Sequence, residues 1–393
     1  MITFEEAMDT VIKGAKPLPP VLVRVEDSVG RALAEDVRSA LAMPPFNKSA
    51  VDGYAVRAAD VKPGRGFKCL GLIQAGESFN RRLGSGECVK IMTGSPVPAG
   101  ADAVIMVEFS SESGGLVWFS RGANKEDNIA LRGEDIKKGQ LIMRRGSVIG
   151  VQHIAALAAA GRGAVKCGAL PRVSLVNTGG EIVPPGAKLG RNRIYNSNGP
   201  MLATLLKTDG VNAAPEIVRD EPRKLKAALA KALKADIALI SGGVSMGDYD
   251  LVPGILKELG VKKLFHTVRV RPGKPMFFGV KGRTLVFGIP GNPVANFMAY
   301  LAYIRPAIRK MAGRPDFAPV FLDGVCETKF EPRTPRRAMV LSTVGVKAAF
   351  SLREVCNNGS ADILALAAAG GFTMIAENSA VKKCGRAKFI SWL

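Results

Sequence analysis

Apolar runs alternate with segments of helical periodicity between residues 170 and 313. RVSLVNT, ADIALIS and TLVFGI are continuous apolar runs, which are typical of strands buried on both faces. Helices are predicted for residues 197–207, EPRKLKAALAKALK and DLVPGILKELG, and further strands for VNAAPEIV and KLFHTVRV. NPVANFMAYLAYIRPAIRKMAG predicts a long helix kinked at Pro306. This alternation predicts a doubly wound α/β domain.

The remaining segments are rich in short β-like runs. Residues 39–139 contain ECVKIM, DAVIMVE and GLVWFS among many glycines, which predicts an inserted, mainly β domain. The segments that flank it, 20–38 and 140–168, are predicted to pair as a small discontinuous linking domain. MVLSTV, FTMIA and KFISW predict a C-terminal β domain over 314–393. With 1–19 and 169–313 forming the α/β domain, the expected fold class is multidomain α/β plus β.

Length and composition indicate a globular protein in the cytoplasm. The chain has 393 residues, of which 47% are hydrophobic, so it can form several cores. It contains no 18-residue uncharged apolar run, which predicts no membrane association. The first residues, MITFEEAMDTVIKGAK, lack the basic and apolar parts of a signal peptide.

The charge balance favours an anionic partner. The chain carries 55 basic and 34 acidic residues, for a formal net charge of +21. The basic residues are dispersed and no nucleic-acid-binding signature is present, so we expect a small anionic substrate rather than nucleic acid. Six scattered cysteines without a CxxC pair predict reduced, mostly buried thiols. The two histidines, His153 and His266, have no partner at ligand spacing and are predicted to be structural.

Four loops share one layout, in which an apolar run is followed by glycine, proline and charge. They are NTGGE, SGGVSMGDYD, RPGKP and GIPGNP. Glycine-rich turns let backbone N–H groups approach an anion, and open α/β sheets bind ligands at the carboxyl ends of their strands. The four loops therefore predict one composite pocket for an anionic ligand.

Each loop offers a specific group to such a ligand. The backbone of the second loop can hold phosphate, and its acids can hold a cation or orient a water; the residues concerned are Ser241, Gly242, Gly243, Ser245, Asp248 and Asp250. The alternative for Asp250 is a simple helix cap. Arg271 and Lys274 suit an oxyanion. Pro290, Gly291 and Pro293 open a helix whose N-terminus attracts anions. Glu181 is a candidate general base or metal ligand, and every one of these loops can also be an ordinary turn.

Three motifs of the β-rich part add acids and a hydroxyl. NKSAVDGYAV contains Asp52 and Gly53, a pair that is common in plain hairpin turns. IMTGSPVPAGADAV places Thr93 in a tight loop, and LRGED places Asp135 in a turn.

Taken together, the motifs resemble those of the molybdopterin molybdenumtransferase family of molybdenum-cofactor synthesis, which also contains the E domain of gephyrin. The matching set is NKSAVDGYAV, IMTGSPVPAGADAV, RGEDIKKG, NTGGE, SGGVSMGDYD, RPGKP and GIPGNPV, and it extends to about Gly313. The resemblance implies an enzyme that takes adenylylated molybdopterin and molybdate, releases AMP and inserts the metal, with Mg²⁺ or another divalent cation. It also implies a homodimer whose cleft joins the α/β domain of one chain to the β-rich domain of the other, and partners such as the molybdopterin-adenylylating enzyme.

The resemblance also assigns residues. Functionally important positions of the family fall on Asp52, Thr93, Asp135, Glu181, Asp236 and Asp250, and its oxyanion-binding pair on Arg271 and Lys274. In the tail, Arg337 and Ser360 are candidate contacts. From these we expect catalytic roles for Asp52, Asp135, Glu181 and Asp250, metal binding by Glu181 and Asp250, and substrate contacts at the other positions.

The chain departs from the family pattern at Ala130, Gly180, Arg271, Ala295 and Ser342. These departures leave open whether the oxyanion is molybdate or tungstate. Two alternatives also remain: a molybdopterin adenylyltransferase, and a non-catalytic scaffold of the gephyrin E type.

Overall fold

The computed structural model describes residues 1–244, 251–332, 334–346 and 349–392. It contains eight α-helices within these residues: α1 (Phe4–Gly14), α2 (Val151–Ala159), α3 (Asn198–Thr208), α4 (Pro222–Ala232), α5 (Leu251–Glu258), α6 (Pro293–Ala299), α7 (Arg305–Met311) and α8 (Ile363–Ala368). None of these helices is long and apolar enough to cross a membrane.

The strands of the N-terminal part are short. They are β1 (Pro20–Arg24), β2 (Val37–Arg38), β3 (Lys48–Ser49), β4 (Gly53–Val56), β5 (Lys68–Ile73), β6 (Glu87–Ile91), β7 (Ala103–Met106), β8 (Ser110–Ser113), β9 (Leu116–Phe119), β10 (Ile129–Ala130), β11 (Leu141–Met143) and β12 (Ala164–Gly168). Four of them form the sheet β5-β6-β4-β7. The pairs β1–β12 and β2–β11 join segments that are far apart in sequence, as expected for a discontinuous unit, although the exact domain boundaries stay a prediction.

The central strands are β13 (Val173–Thr178), β14 (Ile182–Val183), β15 (Ile194–Tyr195), β16 (Pro215–Val218), β17 (Ile237–Ser241), β18 (Lys262–Thr267), β19 (Val270–Arg271), β20 (Pro275–Lys281) and β21 (Thr284–Ile289). Six of them form one sheet in the order β16-β13-β17-β21-β20-β18. The first four are parallel, and β20 runs antiparallel to both of its neighbours. The sequence did not predict β20. Because this strand is antiparallel to its neighbours, the sheet is mixed rather than wholly parallel.

Helices cover both faces of this sheet because successive side chains of a strand point to opposite faces. Ile237 and Leu239 of β17 pack in a cluster with residues of α1, α3, α6 and α7. Ala238 and Ile240 pack instead with α4 and α5. All four residues are fully buried, which explains why ADIALIS has no polar alternation.

The long helix predicted for residues 292–313 is interrupted one turn earlier than expected. A π-helical turn, Tyr300–Ile304, separates α6 from α7 and ends two residues before Pro306. Proline has no N–H to donate within a helix. A wider turn before it lets the helix continue without that hydrogen bond.

The C-terminal strands are β22 (Leu322–Cys326), β23 (Arg337–Val346), β24 (Phe350–Glu354), β25 (Gly371–Ile375) and β26 (Arg386–Ser391). They follow the order β23-β24-β22-β26-β25, and β25 pairs again with β23, so the five strands close a barrel. Closure leaves no free sheet edge. Strand β19 pairs with the start of β23 and thereby attaches the RPGKP loop to the barrel.

Candidate functional site at the carboxyl edge of the central sheet

The register of the parallel strands brings three of the four predicted loops to one edge. Asn177 of β13 pairs with Ser241 of β17, and Ser241 pairs with Ile289 of β21. The strands end at or just beyond these positions, so the loops that follow start side by side. They surround a cavity of about 820 Å³, which is lined by Asn177, Thr178, Gly179, Glu181, Ile182, Ile194, Tyr195, Asn196, Ser197, Asn198, Asp220, Ser241, Gly242, Gly243, Val244, Pro275, Pro290, Gly291, Asn292, Pro293, Ala361 and Ile363. We call this cavity the carboxyl-edge pocket.

Two glycines of the second loop are required by their backbone conformation. Gly242 has φ +96° and Gly243 has φ +62°, values that disfavour residues with a Cβ. A Cβ on Gly242 would lie 2.3 Å from the carbonyl oxygen of Thr178. The N–H of Gly242 donates to the carbonyl of Ile289 at 3.1 Å, so this amide holds the sheet edge together instead of facing a phosphate.

Asp220 is a pocket residue that the sequence analysis missed. The hydroxyl of Thr178 donates to its Oδ1, and the N–H of Gly180 donates to its Oδ2 at 3.0 Å. The residue lies two positions after the last residue of β16, so it is at the carboxyl end of a parallel strand like the predicted loops. That position was a usable signal, because such ends converge at one edge.

Asp236, which the resemblance assigned to the site, lies at the other end of the sheet. It precedes β17, whereas Ser241 ends that strand. Its carboxylate accepts from the backbone N–H of Arg172 at 2.8 Å and from the Nε of the same arginine at 3.1 Å. Burial alone would raise the pKa of Asp236, but the hydrogen bonds from Arg172 outweigh it and hold the pKa below its ordinary value. The structure therefore separates Asp236 from the carboxyl-edge pocket.

Asparagines tie the pocket loops together and leave acceptors free. Asn198 Nδ2 donates to the carbonyl of Gly291 at 2.6 Å and to the hydroxyl of Ser241 at 3.4 Å. Within the described residues, Asn177 Oδ1 and Asn198 Oδ1 are buried and accept no hydrogen bond. A buried acceptor without a partner is costly unless a ligand or water supplies a donor. The floor of the pocket is therefore suited to a ligand that carries N–H or O–H groups.

The remaining predicted residues of the α/β domain divide into two groups. Glu181, Pro290, Gly291 and Pro293 line the pocket, and Glu181 is exposed to solvent. Ser245, Asp248 and Asp250 lie outside the described residues.

Neither Arg271 nor Lys274 is part of the pocket lining. Both side chains are exposed, and neither forms an ion pair with another described residue. Lys274 immediately precedes Pro275, which does line the pocket. The positive charge of Lys274 is therefore available at the margin of the pocket, and Arg271 precedes it by three residues in the same loop.

The two candidates from the tail have different surroundings. Ser360 accepts a hydrogen bond from Asn292 Nδ2 at 2.7 Å, and its carbonyl accepts from the N–H of Val294, so it lies at the pocket wall. Arg337 forms an ion pair with Glu5 of α1 and covers the ring of Phe4 at 5.6 Å. The side chain of Arg337 therefore connects the barrel to α1, and it does not line the pocket.

The acids of the β-rich part form a separate group. Asp52 Oδ1 accepts from the N–H of Thr93 at 2.7 Å and from its hydroxyl at 2.8 Å. These two bonds hold the pKa of Asp52 below its ordinary value. Asp52 does not turn a hairpin: Gly53 opens β4, and a Cβ there would lie 2.0 Å from the carbonyl oxygen of Ile105. Asp135 is exposed, and neither aspartate lines the carboxyl-edge pocket.

Three of the residues that depart from the family pattern differ in their surroundings. Ser342 is buried in the barrel, where its hydroxyl lies 2.6 Å from that of Thr373. Ala295 is buried in the first turns of α6. Gly180 contributes its N–H to Asp220 and has open space where a side chain would lie. A side chain would therefore fit at position 180, and packing does not require glycine there.

Family models match both halves of this architecture. Residues 2–161 match the MoeA N-terminal region (domain I and II), and residues 175–310 match a probable molybdopterin binding domain. Fold and pocket together thus define a multidomain protein with a C-terminal β-barrel, built around an α/β domain of the molybdopterin-binding type.

Relatives narrow this class to one family. A molybdopterin molybdenumtransferase of Staphylococcus aureus is 32% identical over 343 residues, covering 85% of this chain and 81% of the relative. One from Staphylococcus epidermidis is 30% identical over 382 residues, covering 95% and 91%. The crystal structure of a molybdopterin biosynthesis MoeA protein from Pyrococcus horikoshii superimposes with a TM-score of 0.85 at 29% identity, covering 100% of this chain and 99% of that one. The chain belongs to the molybdopterin molybdenumtransferase family.

Proposed function

We propose that this protein transfers molybdenum from molybdate to molybdopterin, with adenylylated molybdopterin as the second substrate and AMP as a product. The observation that carries the proposal is the carboxyl-edge pocket, with its free asparagine acceptors, its acids and its unpaired basic margin. Family membership supports the same reaction.

The pocket groups suit the parts of such a substrate. Asn177 and Asn198 would accept hydrogen bonds from the amino and N–H groups of a pterin, because their Oδ1 atoms lack donors in the described chain. Lys274 and Arg271 would attract molybdate at the margin of the pocket. Gly243, followed by the loop outside the described residues, would bring backbone N–H groups toward phosphate.

The metal-ligating side chains of the pocket can be compared with those that Mg²⁺ usually binds. Among the described residues, no three carboxylate, imidazole or thiol groups come together as a protein-only metal site. Mg²⁺ is usually bound by one or two carboxylates together with substrate phosphates and water, and Glu181 and Asp220 supply carboxylates in the same pocket. The described residues therefore fit Mg²⁺ held jointly with substrate by Glu181 and Asp220. Asp250, which the resemblance implies as a further ligand, lies outside the described residues. When bound, Mg²⁺ would neutralise phosphate charge during cleavage.

The chain's own groups would then act as follows. Glu181, exposed in the pocket, orients the water that attacks the phosphoanhydride, whose P–O bond breaks to leave AMP and molybdopterin. Asp220 holds the Gly180 N–H and the Thr178 hydroxyl, and so fixes the loop that carries Glu181. Asp52, kept ionised by Thr93, and Asp135 would act from the second chain of a homodimer, since neither lines the pocket of its own chain.

AMP release tests the proposal directly. Purified protein is given adenylylated molybdopterin, molybdate and Mg²⁺, and AMP is quantified by chromatography. We expect AMP in proportion to active metal-bound cofactor, and we expect the Glu181→Gln variant to release about 100-fold less. Pterin binding without AMP release, over a range of metals and oxyanions, would support the scaffold alternative instead. Consumption of ATP with free molybdopterin would support the adenylyltransferase alternative.

A further inference from the structure

The cysteines are less buried than the sequence suggested. Cys88, Cys167 and Cys326 are buried, but Cys69, Cys356 and Cys384 are exposed. Two of the six, Cys69 and Cys88, lie together on neighbouring strands of the β-rich sheet and take no part in the proposed reaction.

The strand register fixes the position of this pair. Cys69 of β5 and Cys88 of β6 are direct partners in a parallel pairing. Partners on adjacent strands lie about 4.8 Å apart and point to the same face of the sheet. A disulfide needs Cα atoms separated by roughly 4.4–6.8 Å, so the backbone spacing is already suitable.

The pKa of Cys88 supports the same arrangement, because the nearby Cys69 thiol raises it. The Cys69 thiol itself donates to the carbonyl of Gly71 at 3.4 Å. Cys326 and Cys384 are also neighbours, but the contact between them is a backbone hydrogen bond. The register irregularity of β5 directly after Cys69 leaves that residue room to adjust.

We propose that Cys69 and Cys88 form a reversible intramolecular disulfide when the protein meets a low-molecular-weight disulfide oxidant. In the first step the Cys69 thiolate attacks one sulfur of the oxidant RSSR; a mixed disulfide forms at Cys69 and one RS⁻ leaves. In the second step Cys88 loses its proton to solvent and attacks Cys69 Sγ; the protein disulfide forms and the second RS⁻ leaves. Two protein thiols are oxidised and one RSSR is reduced to two RSH.

The surroundings of the two sulfurs fix the order of the steps. Cys69 is exposed, so the oxidant reaches it first. Burial and the neighbouring Cys69 thiol raise the pKa of Cys88 well above the ordinary thiol value. The second step is therefore the slow one, and its rate should rise about tenfold per pH unit as the thiolate fraction of Cys88 increases.

The disulfide would fasten an edge strand. β5 is the outer strand of the order β5-β6-β4-β7, and the chain leaves β6 directly toward Thr93, which holds Asp52. Oxidation would therefore stiffen the sheet that supports Thr93 and Asp52 without changing either of these two residues.

The experiment uses the full chain with Cys356→Ser and Cys384→Ser, which removes the other exposed thiols. The reduced protein is treated with 2-hydroxyethyl disulfide between pH 7 and 9 and followed by intact mass and peptide mapping. We expect a transient adduct at Cys69, then loss of the mass of two hydrogen atoms with a peptide that links positions 69 and 88. Dithiothreitol should reverse the change.

Variants make the outcome decisive. Cys69→Ser, at an exposed position, should show neither the adduct nor the linked peptide, and Cys88→Ala should keep a stable adduct at Cys69. A lasting adduct at Cys69 in the parent protein, with no linked peptide at pH 9, would overturn the proposal. Loss of the mass of two hydrogen atoms in the Cys69→Ser variant, with Cys88 linked to another cysteine, would overturn it as well.

Discussion

The two ends of the central sheet each present an aspartate, but in different electrostatic settings. At the carboxyl end, Asp220 is held by a hydroxyl and a backbone N–H beside a cavity of about 820 Å³. At the amino end, Asp236 is paired with the guanidinium of Arg172. Asp220 forms no ion pair with another described residue. Its charge is therefore available to a ligand, whereas the charge of Asp236 is used within the fold.

This contrast separates residues of the site from residues of the framework. An acid held by neutral donors keeps a full negative charge in place, which suits a substrate-bound cation. An acid neutralised by arginine stabilises local structure and offers little to a ligand. Matched variants from the two ends of the sheet distinguish these two kinds of residue.

The largest expected effect is on activity. Asp220→Ala removes the acceptor of Thr178 and Gly180 and should lower AMP release about 100-fold, by displacing the loop that carries Glu181. Asp236→Ala should leave AMP release nearly unchanged. The rates are compared at saturating substrate, with circular dichroism as the control for folding. Equal losses in the two variants would remove the functional distinction between the two ends.

The second effect is on stability. Gly242→Ala places a Cβ against the Thr178 carbonyl at a φ of +96°, and should lower the free energy of unfolding by about 3 kcal/mol. Gly282, in the turn between β20 and β21, has φ +58° with nothing within 4 Å of a Cβ, so Gly282→Ala should cost about 1 kcal/mol. Urea denaturation measures both variants. If Gly282→Ala proved the more damaging, the close packing at the carboxyl edge would be disproved.

The third effect is on the oxyanion. Lys274 precedes the first residue of β20 and Lys281 is the last residue of that strand, so the two lysines mark its opposite ends. Lys274→Gln should raise the KM for molybdate about tenfold, because it removes a charge beside the pocket. Lys281→Gln is the matched control and should leave the KM unchanged. A similar rise in both variants would indicate that general surface charge, not a local site, attracts molybdate.

The smallest effect concerns pH. The pKa of Asp236 is lowered on folding, so its pair with Arg172 stabilises the protein above the unfolded pKa near 4 and loses this contribution as pH falls through the folded pKa. Asp236→Ala should therefore cost about 1 kcal/mol at pH 7 and less below pH 4. Urea denaturation at several pH values measures the difference. A cost that is constant with pH would show that the ion pair is not its source.

Local patterns predicted the helices and buried strands of the α/β domain well. Residues 221–234 and 235–241 became α4 and β17 because their apolar spacing matches one helical face and one doubly buried strand. PMFFGVK was not predicted as β20, because its apolar residues directly follow the RPGKP loop and were not separated from it. Closure of the barrel by the pairing of β25 with β23 has no local signal.

The site residues show the same limit. Loops after parallel strands were predicted to converge, and Glu181, Ser241 and Gly291 do so. The resemblance assigned Asp236 to the site although this residue precedes its strand, and no motif indicated Asp220, which follows its strand. Asp236 and Asp220 can be distinguished from the sequence alone, because one precedes its predicted strand and the other follows it. The ion pair of Arg337 with Glu5 joins residues more than 300 positions apart and depends on tertiary packing.

Anomalous diffraction from a crystal soaked in molybdate would show where the oxyanion binds. The amino end offers a competing site, since Lys13, Lys16 and Arg283 surround a second cavity of about 260 Å³. We predict a molybdenum peak at the carboxyl-edge pocket, within reach of Lys274 and Arg271. A peak held instead by Lys13, Lys16 and Arg283, with none at the carboxyl edge, would contradict the assignment of the site.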